Sequence, residues 1–455
     1  MAGTQATDLS EAPAAAGRRP LFFYGYWILV AAFVAQFVAV GTQSHVAGVF
    51  FKPMTEELGW TRTEFTYAQT VGRFVMAFVG FFIGVYVDRF GGRVIMLVGG
   101  AILAIALFAA STVTELWQWL VLRGVIDTIG VAMIGNLVVN VTLSKWFVEK
   151  RGRAVGIAAA GISLSGMVTA PVLTLFIEEF GWRTGWRALA VVSALLVYPV
   201  ALLMRRQPED YGLHPDGKSD AEVAAGQAAR AQADYDNSFT RRQALRTRAF
   251  YLIVLAFGLG GVGIGTILLQ TIPYLTGQGF SPTTAALMLS AYALPSFLSK
   301  PFWGLLIERS ETKYLAAVSF VMEGAAVMAV VVGATAGSVP LVMLAYLAFG
   351  LGVGGNIPLQ EVIWASYFGR RYLGAVRSVA LPFSLALGAG GPLLVSYYFD
   401  VVGNYHGAFL VVGALSVLGG LLVLLVRSSG VPQRPAEPSP PREEGARVDV
   451  PPATA

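Results

Sequence analysis

The chain has 455 residues, of which 55% are hydrophobic and only 13% charged, and its mean hydropathy is +0.64. Soluble domains carry about a quarter charged residues, so this composition excludes an ordinary water-soluble domain and indicates a protein that lies largely in a lipid bilayer. The complete absence of cysteine excludes disulfides, thiolate metal sites and cysteine catalysis.

Apolar stretches that are long enough to cross a bilayer follow one another along most of the chain. A membrane-spanning helix needs roughly 20 predominantly apolar residues. Twelve segments reach this length: 23–47, 64–87, 94–112, 116–141, 153–178, 185–204, 249–274, 284–307, 314–334, 339–364, 374–399 and 405–427. The sequence therefore predicts an all-α integral membrane protein with twelve transmembrane helices.

Lysine and arginine are distributed very unequally between the loops. If the N-terminus is placed in the cytoplasm, 25 of the 32 fall in cytoplasmic segments, four in outer loops and three within spans. Because positive residues favour the cytoplasmic side, both termini are expected there. The net charge of +5 then reflects membrane topology and not a nucleic-acid-binding surface. No signal peptide is recognised, because residues 1–20 are polar and rich in alanine.

The longest polar loop divides the predicted spans into two sets of six. The expected segments are a disordered cytoplasmic N-terminus (1–20), an N-terminal six-helix bundle (21–206), a cytoplasmic linker (207–248), a C-terminal six-helix bundle (249–428) and a disordered cytoplasmic tail (429–455). The centre of the linker, 207–240, has no apolar face to bury, so it is also predicted to be unstructured.

The two sets of six are related in sequence. Corresponding residues recur at an offset of 220 or 221: Gly135-Asn136 with Gly355-Asn356, Trp146-Phe147 with Tyr367-Phe368, Arg151 with Arg371, Pro171 with Pro392, and Asp88-Arg89 with Glu308-Arg309. Two parallel repeats of six helices are typical of transporters that hold their substrate near the middle of the membrane, between the halves.

The most informative single residue is Lys300, which lies within an apolar stretch at 286–307 and is flanked by Pro295 and Pro301. A charge at membrane depth costs several kcal/mol, so an intramembrane cation is by default a candidate functional site. A lone lysine there favours an anionic ligand. The alternatives are that Lys300 extends to the membrane surface or forms an ion pair with Glu361.

Two loops resemble the signature loop of the major facilitator superfamily, G-x-x-x-D-R-x-G-R-R. The first is GVYVDRFGGR at 84–93, and a degenerate second copy is GLLIERSETK at 304–313. Within that superfamily the chain resembles the monocarboxylate transporter family and its bacterial oxalate/formate-type relatives. The resemblance is carried by YGYWILVAAF, WFVEKRGRAVGIAAAGISLSG, FGWRTGWRAL and SFLSKPFWGLL.

This resemblance implies a substrate site around Lys300. The family places a cation directly before a proline in span eight, where it binds the substrate carboxylate, and Lys300-Pro301 occupies that place. The family's aspartate one turn earlier is replaced by Ser296 here, which weakens a proton relay borrowed from the family. A second family lysine, in span one, aligns with His45, a candidate proton carrier or substrate contact that could instead lie at the outer membrane surface.

Other polar and aromatic residues could line the same cavity. The substrate-site candidates Asn136, Asn140, Tyr292 and Phe297 could equally hold helices together or pack in the core. Arg123 and Asp127 are four residues apart on span four, so they can form an ion pair. Together with Glu361 they are candidates for proton coupling, with a purely structural pair as the alternative.

The signature loops indicate a gate between the halves. The gate candidates are Asp88, Arg89, Arg93, Glu308, Arg309, Arg371 and Arg377. In the superfamily, charge contacts of these loops hold the outward-facing state, and Arg371 or Arg377 is the expected partner of Asp88. The alternative is a solvated charged surface of little energetic consequence.

These observations predict a secondary active transporter of small monocarboxylates or related organic anions, working by alternating access with proton symport. The alternatives are anion exchange without protons, a drug or metabolite exporter of the same superfamily, and a membrane sensor that does not transport. The expected partners are the anion, protons and the lipid bilayer of the plasma membrane, with no nucleic acid. No enzyme activity or cofactor is expected. No P-loop is present, so the chain encodes no ATP-driven motor, and the three histidines are too scattered to form a metal site.

Overall fold

The protein is described by a computed structural model in which residues 23–427 are placed, except for residues 225, 227 and 228. The predicted disordered ends, 1–20 and 429–455, lie outside the described residues. Within the described part the regular structure is helical and contains no β-strand. The first four long helices are α1 (Gly25–Leu58), α2 (Arg62–Phe90), α3 (Gly92–Ala110) and α4 (Leu116–Trp146).

The next helix, Arg151–Leu203, is two membrane-length helices joined at one residue. Gly181 has φ 76° and ψ 160°, a left-handed conformation that glycine adopts without a steric penalty. We therefore call residues 151–180 α5 and residues 182–203 α6. The remaining long helices are α7 (Arg248–Gly277), α8 (Pro282–Arg309), α9 (Thr312–Thr335), α10 (Val339–Phe368), α11 (Leu373–Val402) and α12 (His406–Leu424).

Nine helices in the described part are apolar and long enough to cross a membrane, and the 53-residue helix that holds α5 and α6 is one of them. The helices α8 and α11, with 28 and 30 residues, exceed the roughly 20 residues that a span requires. The prediction of an all-α membrane protein built from two six-helix halves is confirmed, with α1–α6 in one half and α7–α12 in the other.

Most contacts between the halves come from two helix pairs: α5 packs against α8, and α2 packs against α11, while α10 also contacts α5 and α4. The backbones touch at Gly84 with Gly374 and at Gly152 with Gly304. Both contacts lie near the end of the bundle from which the 204–247 linker emerges, which we call the linker end. Six helices end there, namely α2, α4, α6, α8, α10 and α12, and five begin there, namely α3, α5, α7, α9 and α11. This end of the bundle is therefore closed.

The linker itself is built of short helices, so the prediction that its centre lacks structure is wrong. Its helical turns are Pro208–Tyr211, Pro215–Gly217, Asp220–Ala224, Ala229–Asp236 and Arg241–Ala244. Asp216 accepts hydrogen bonds from the backbone N–H groups of Val148, Glu149 and Lys150 at 2.9–3.0 Å. A polar segment can thus be ordered without an apolar face of its own, because its side chains satisfy backbone groups at the ends of the bundle helices.

Candidate functional site

Lys300 lies on α8 and is almost fully buried, with 3% of its surface exposed. Its Nζ donates to the Ser296 Oγ at 3.4 Å, one turn earlier on the same helix, and to the Ser163 Oγ on α5. Among the described residues no carboxylate lies within ion-pair distance of Lys300. Glu361, the ion-pair partner considered from the sequence, binds Arg377 instead. A desolvated cation whose partners are neutral hydroxyls attracts an anion strongly.

The aromatic residues near Lys300 have different surroundings. Trp303 is buried, and its Nε1 donates to the Leu351 carbonyl of α10 at 2.8 Å, so it holds α8 against α10. Tyr292 packs edge-on against Phe349 with ring centroids 6.0 Å apart. Phe297 is half-buried and lies one turn before Pro301. Of these three aromatic residues, Tyr292 and Phe297 keep partly open surfaces that could contact a small organic ligand.

Arg123 and Asp127 form the ion pair that their spacing predicted, with Nη1 2.7 Å from Oδ2 and both side chains buried. The other guanidinium nitrogen, Nη2, donates to the Thr42 and Gln43 carbonyls of α1 at 2.6 and 2.7 Å. Both helices are locally π-helical there, over Gly41–His45 and Leu120–Asp127, and such turns are frequent at functional sites. Arg123 therefore has three acceptors, and Asp127 provides one of them.

A second buried pair joins α10 to α11. The Arg377 Nη1 donates to the Glu361 Oε2 at 2.6 Å, and both side chains are almost fully buried. The Asn140 side chain of α4 faces this carboxylate from the other half, and Asn140 also contacts Asn136 and Gln36. The sequence-predicted residues Asn136, Asn140 and Glu361 are thus gathered into one polar cluster at the interface between the halves.

The two acidic residues share one feature that suits proton exchange. Asp127 and Glu361 are both buried, and each gives one oxygen to an arginine. The other oxygen of Asp127, Oδ1, has no hydrogen-bond partner in the described part of the chain, whereas the Glu361 carboxylate also meets the Asn140 side chain. A buried polar atom without a partner is costly. A proton placed on that oxygen would neutralise the acid and weaken its hold on the arginine.

Asp88 occupies the predicted gate, but its partner differs from the expected one. Its Oδ1 lies 2.8 Å from the Lys145 Nζ of α4, and its Oδ2 accepts the Ala375 backbone N–H at 2.8 Å. The pairing with Arg371 or Arg377 is therefore wrong, because Arg377 is bound by Glu361 and the Arg371 guanidinium lies over the rings of Tyr235 and Tyr372. A carboxylate at a helix N-terminus is favourable, so Asp88 joins α2 to the start of α11.

Glu308 repeats this arrangement on the other side of the molecule. It lies at the end of α8 and accepts the Arg153 backbone N–H at 3.2 Å, while the Arg153 side chain binds it at 2.7 Å. Glu308 therefore joins α8 to the start of α5, as Asp88 joins α2 to the start of α11. The neighbouring gate candidates Arg89, Arg93, Arg309 and Arg371 are exposed at the linker end.

The linker end is sealed by further charges that sequence reasoning missed. Arg370 binds Glu209 of the linker and donates to the Lys145 carbonyl of α4. Arg151 binds Asp234 of the linker at 2.7 Å. These partners lie far apart along the chain, as Ser163 and Lys300 do, so no local signal pointed to the contacts. His45 ends the π-helical turn of α1, and its side chain lies outside the described residues.

A family model for the Major Facilitator Superfamily matches residues 30–281 and again residues 264–453. The chain belongs to the major facilitator superfamily. The first match spans α1–α6, the linker and α7, and the second begins within α7 and spans the rest of the second half. Members of this superfamily are transporters and not enzymes.

The curated relatives include several monocarboxylate transporters. Monocarboxylate transporter 4 of Gallus gallus is 24% identical over 398 residues, covering 86% of this chain and 80% of the relative. Monocarboxylate transporter 1 of Homo sapiens is 24% identical over 427 residues, covering 88% and 84%. The agnestins efflux protein AgnL12 of Paecilomyces divaricatus is 24% identical over 411 residues, covering 88% and 86%. The resemblance to monocarboxylate transporters that the sequence motifs indicated is therefore confirmed, at about 24% identity over most of the chain.

Solved structures share the fold at much lower sequence identity. The proton:xylose symporter XylE superposes with a TM-score of 0.71 at 13% identity, covering 89% of this chain and 96% of that one. The E. coli fucose:proton symporter FucP superposes with a TM-score of 0.64 at 13% identity, covering 88% and 98%. These likenesses establish the superfamily fold.

Proposed function

We propose that this protein is a secondary transporter of small monocarboxylates or related organic anions, and that Lys300 binds the carboxylate. The observation that carries the proposal is the environment of this cation. It is buried on α8, a helix that packs against the other half, and its hydrogen-bond partners among the described residues are hydroxyl groups alone. Its relatives named as monocarboxylate transporters support the same substrate class. A carboxylate would give Lys300 the counter-charge that none of its described contacts supplies.

The closed linker end supports an alternating-access cycle. Asp88 and Glu308 hold α2 to α11 and α5 to α8 at this end, so both contacts must break before the site can open there. We place the linker end in the cytoplasm of a plasma-membrane protein, following the excess of lysine and arginine in its loops. The described conformation is then closed to the cytoplasm.

Proton symport is our first proposal for the driving force. Asp127 and Glu361 support it, since both are buried acids bound to an arginine, and Asp127 keeps one oxygen without a hydrogen-bond partner in the described part of the chain. Binding a proton to either acid would weaken an arginine contact while the anion crosses. His45 stays a further candidate, as its ring can change charge near neutral pH.

Anion exchange is the second proposal, and the surroundings of Lys300 favour it. Ser296 cannot neutralise the ammonium group, so the empty site keeps a buried charge that opposes the return of the empty carrier. Exchange of one anion for another avoids that step. Export of other metabolites, which the name of the agnestins efflux protein AgnL12 indicates for that relative, would require a different ligand class at the same cation.

The decisive experiment measures uptake of labelled formate, acetate, L-lactate, pyruvate and oxalate into proteoliposomes, with and without an inward proton gradient. Uptake that the gradient stimulates supports symport, whereas uptake only into vesicles preloaded with an anion supports exchange. If no anion is transported in either case, the substrate class proposed here is wrong. Binding of an anion without any flux would support the sensor alternative.

A further inference from the structure

Two serine hydroxyls contact the Lys300 ammonium, and they belong to different halves of the protein. Ser296 is on α8 itself, whereas Ser163 is on α5 in the opposite half. The Lys300–Ser163 hydrogen bond therefore crosses the interface that must rearrange during alternating access.

Ser163 lies at the edge of the closed contact between α5 and α8. Closer to the linker the two backbones touch, because a Cβ on Gly152 would lie 2.4 Å from the Gly304 carbonyl oxygen, and one on Gly156 would lie 2.6 Å from that of Lys300. Ser163 is seven residues beyond Gly156, about two helical turns, and is only half-buried. Met167, one further turn along α5, is 46% exposed.

We propose that Ser163 is a substrate-positioning residue, and that its hydroxyl donates to the same carboxylate that Lys300 binds. This inference rests on the transport function proposed above. A serine hydroxyl is both an acceptor and a donor: it accepts from Lys300 in the described state and turns its hydrogen toward an anion that arrives. One carboxylate oxygen then accepts from Lys300 and the other accepts from Ser163.

A bound anion would in this way join α8 to α5, one helix from each half. Binding is thereby linked to the movement of the halves, because the substrate replaces a direct contact across the interface by a bridged one. Ser296 cannot do this, since it lies on the same helix as Lys300. The site selects anions with a compact terminal carboxylate, whose two oxygens can reach both helices at once.

The absence of cysteine from the chain allows a direct test with the full-length protein. In a Ser163→Cys variant the new thiol is the only one, and its alkylation by an uncharged maleimide can be followed in the presence of L-lactate or acetate. We expect either anion to slow the labelling at concentrations near its KM for uptake. Labelling of a Thr112→Cys variant, in an exposed loop at the other end of the bundle, should not respond to the anion.

Transport by conservative variants provides the second readout. Ser163→Ala should raise KM about tenfold, since it removes a hydrogen bond to a charged group, while Ser163→Thr keeps a hydroxyl and should restore most of the affinity. Ser165→Ala, which alters a hydroxyl that donates to the Ile162 carbonyl of its own helix, is the matched control and should keep the wild-type KM.

The outcomes separate this inference from the proposed function. If the wild-type protein transports monocarboxylates, but Ser163→Ala keeps the wild-type KM or the thiol of the Ser163→Cys variant is not protected, Ser163 does not contact substrate and only this inference is overturned. If the wild-type protein transports none of the anions and none of them protects the thiol, the proposed function is overturned as well.

Discussion

Gly84 of α2 and Gly374 of α11 approach each other so closely that neither position has room for a side chain. A Cβ on Gly84 would lie 2.0 Å from the Gly374 carbonyl oxygen, and a Cβ on Gly374 would lie 2.3 Å from that of Gly84. Gly304 and Gly152 repeat this contact between α8 and α5, at 2.5 and 2.4 Å. The closed linker end thus depends on two glycine contacts related by the internal repeat.

Gly84→Ala is expected to slow transport by opposing closure of the linker end. The added methyl group would overlap backbone atoms, and overpacking of this kind costs about 1–3 kcal/mol. The maximal uptake rate should therefore fall roughly tenfold, as measured by initial rates in proteoliposomes. Gly261→Ala on α7 is the control, because a Cβ there meets nothing within 4 Å. A wild-type rate for Gly84→Ala would show that this contact does not limit the cycle.

Asp88→Asn is expected to slow turnover with little change in KM. Asparagine can still accept the Ala375 N–H, but it loses the charge that binds Lys145 at 2.8 Å. Leaving Lys145 buried without its counter-charge destabilises the closed state. The measurement is the concentration dependence of uptake. Glu64→Gln is the control, since Glu64 accepts a backbone N–H at the other end of the same helix. A raised KM with an unchanged maximal rate would contradict a role in the conformational step.

Lys300→Ala is expected to abolish anion uptake, because it removes the cation that binds the carboxylate. The protein should stay folded, because Lys300 forms no ion pair with another described residue. Lys300→Arg should keep part of the activity, since it preserves the charge but changes the geometry of its hydrogen bonds. Uptake and thermal unfolding in detergent are measured together. Lys52→Ala alters an 81% exposed lysine and serves as the control. Normal uptake by Lys300→Ala would remove this residue from the substrate site.

Glu361→Gln is expected to abolish stimulation by a proton gradient and to leave anion exchange in place. Glutamine cannot take up and release the proton, and Arg377 loses its only described carboxylate partner. The measurement compares gradient-driven uptake with exchange into preloaded vesicles. Gradient stimulation that persists in this variant would exclude Glu361 as the proton carrier.

Asp127→Asn provides an informative comparison with Glu361→Gln. We expect it to fold and to exchange anions at nearly the wild-type rate, because Arg123 keeps the Thr42 and Gln43 carbonyls as acceptors. Loss of gradient stimulation in this variant alone would assign the proton to Asp127. Loss of exchange as well would indicate that the Arg123–Asp127 pair is needed to hold α4 against α1.

Contacts within one helix were largely predictable from the sequence. Ser296 contacts Lys300 and Arg123 binds Asp127 because residues four apart lie on the same face of a helix. Contacts between helices were predicted less well: Asp88 was expected to bind Arg371 or Arg377, and the structure pairs it with Lys145. Sequence spacing carries no information on which faces of distant helices meet.

The sequence by itself determined the membrane character, the division into two related halves and the helix that carries Lys300, because hydropathy and repetition are properties of the linear chain. Only the tertiary structure decided that Ser163 contacts Lys300, that Glu361 binds Arg377 and that the linker closes one end of the bundle. The first two contacts join residues 137 and 16 positions apart in the chain. They arise because helix packing, and not local spacing, brings buried polar groups to the partners they require.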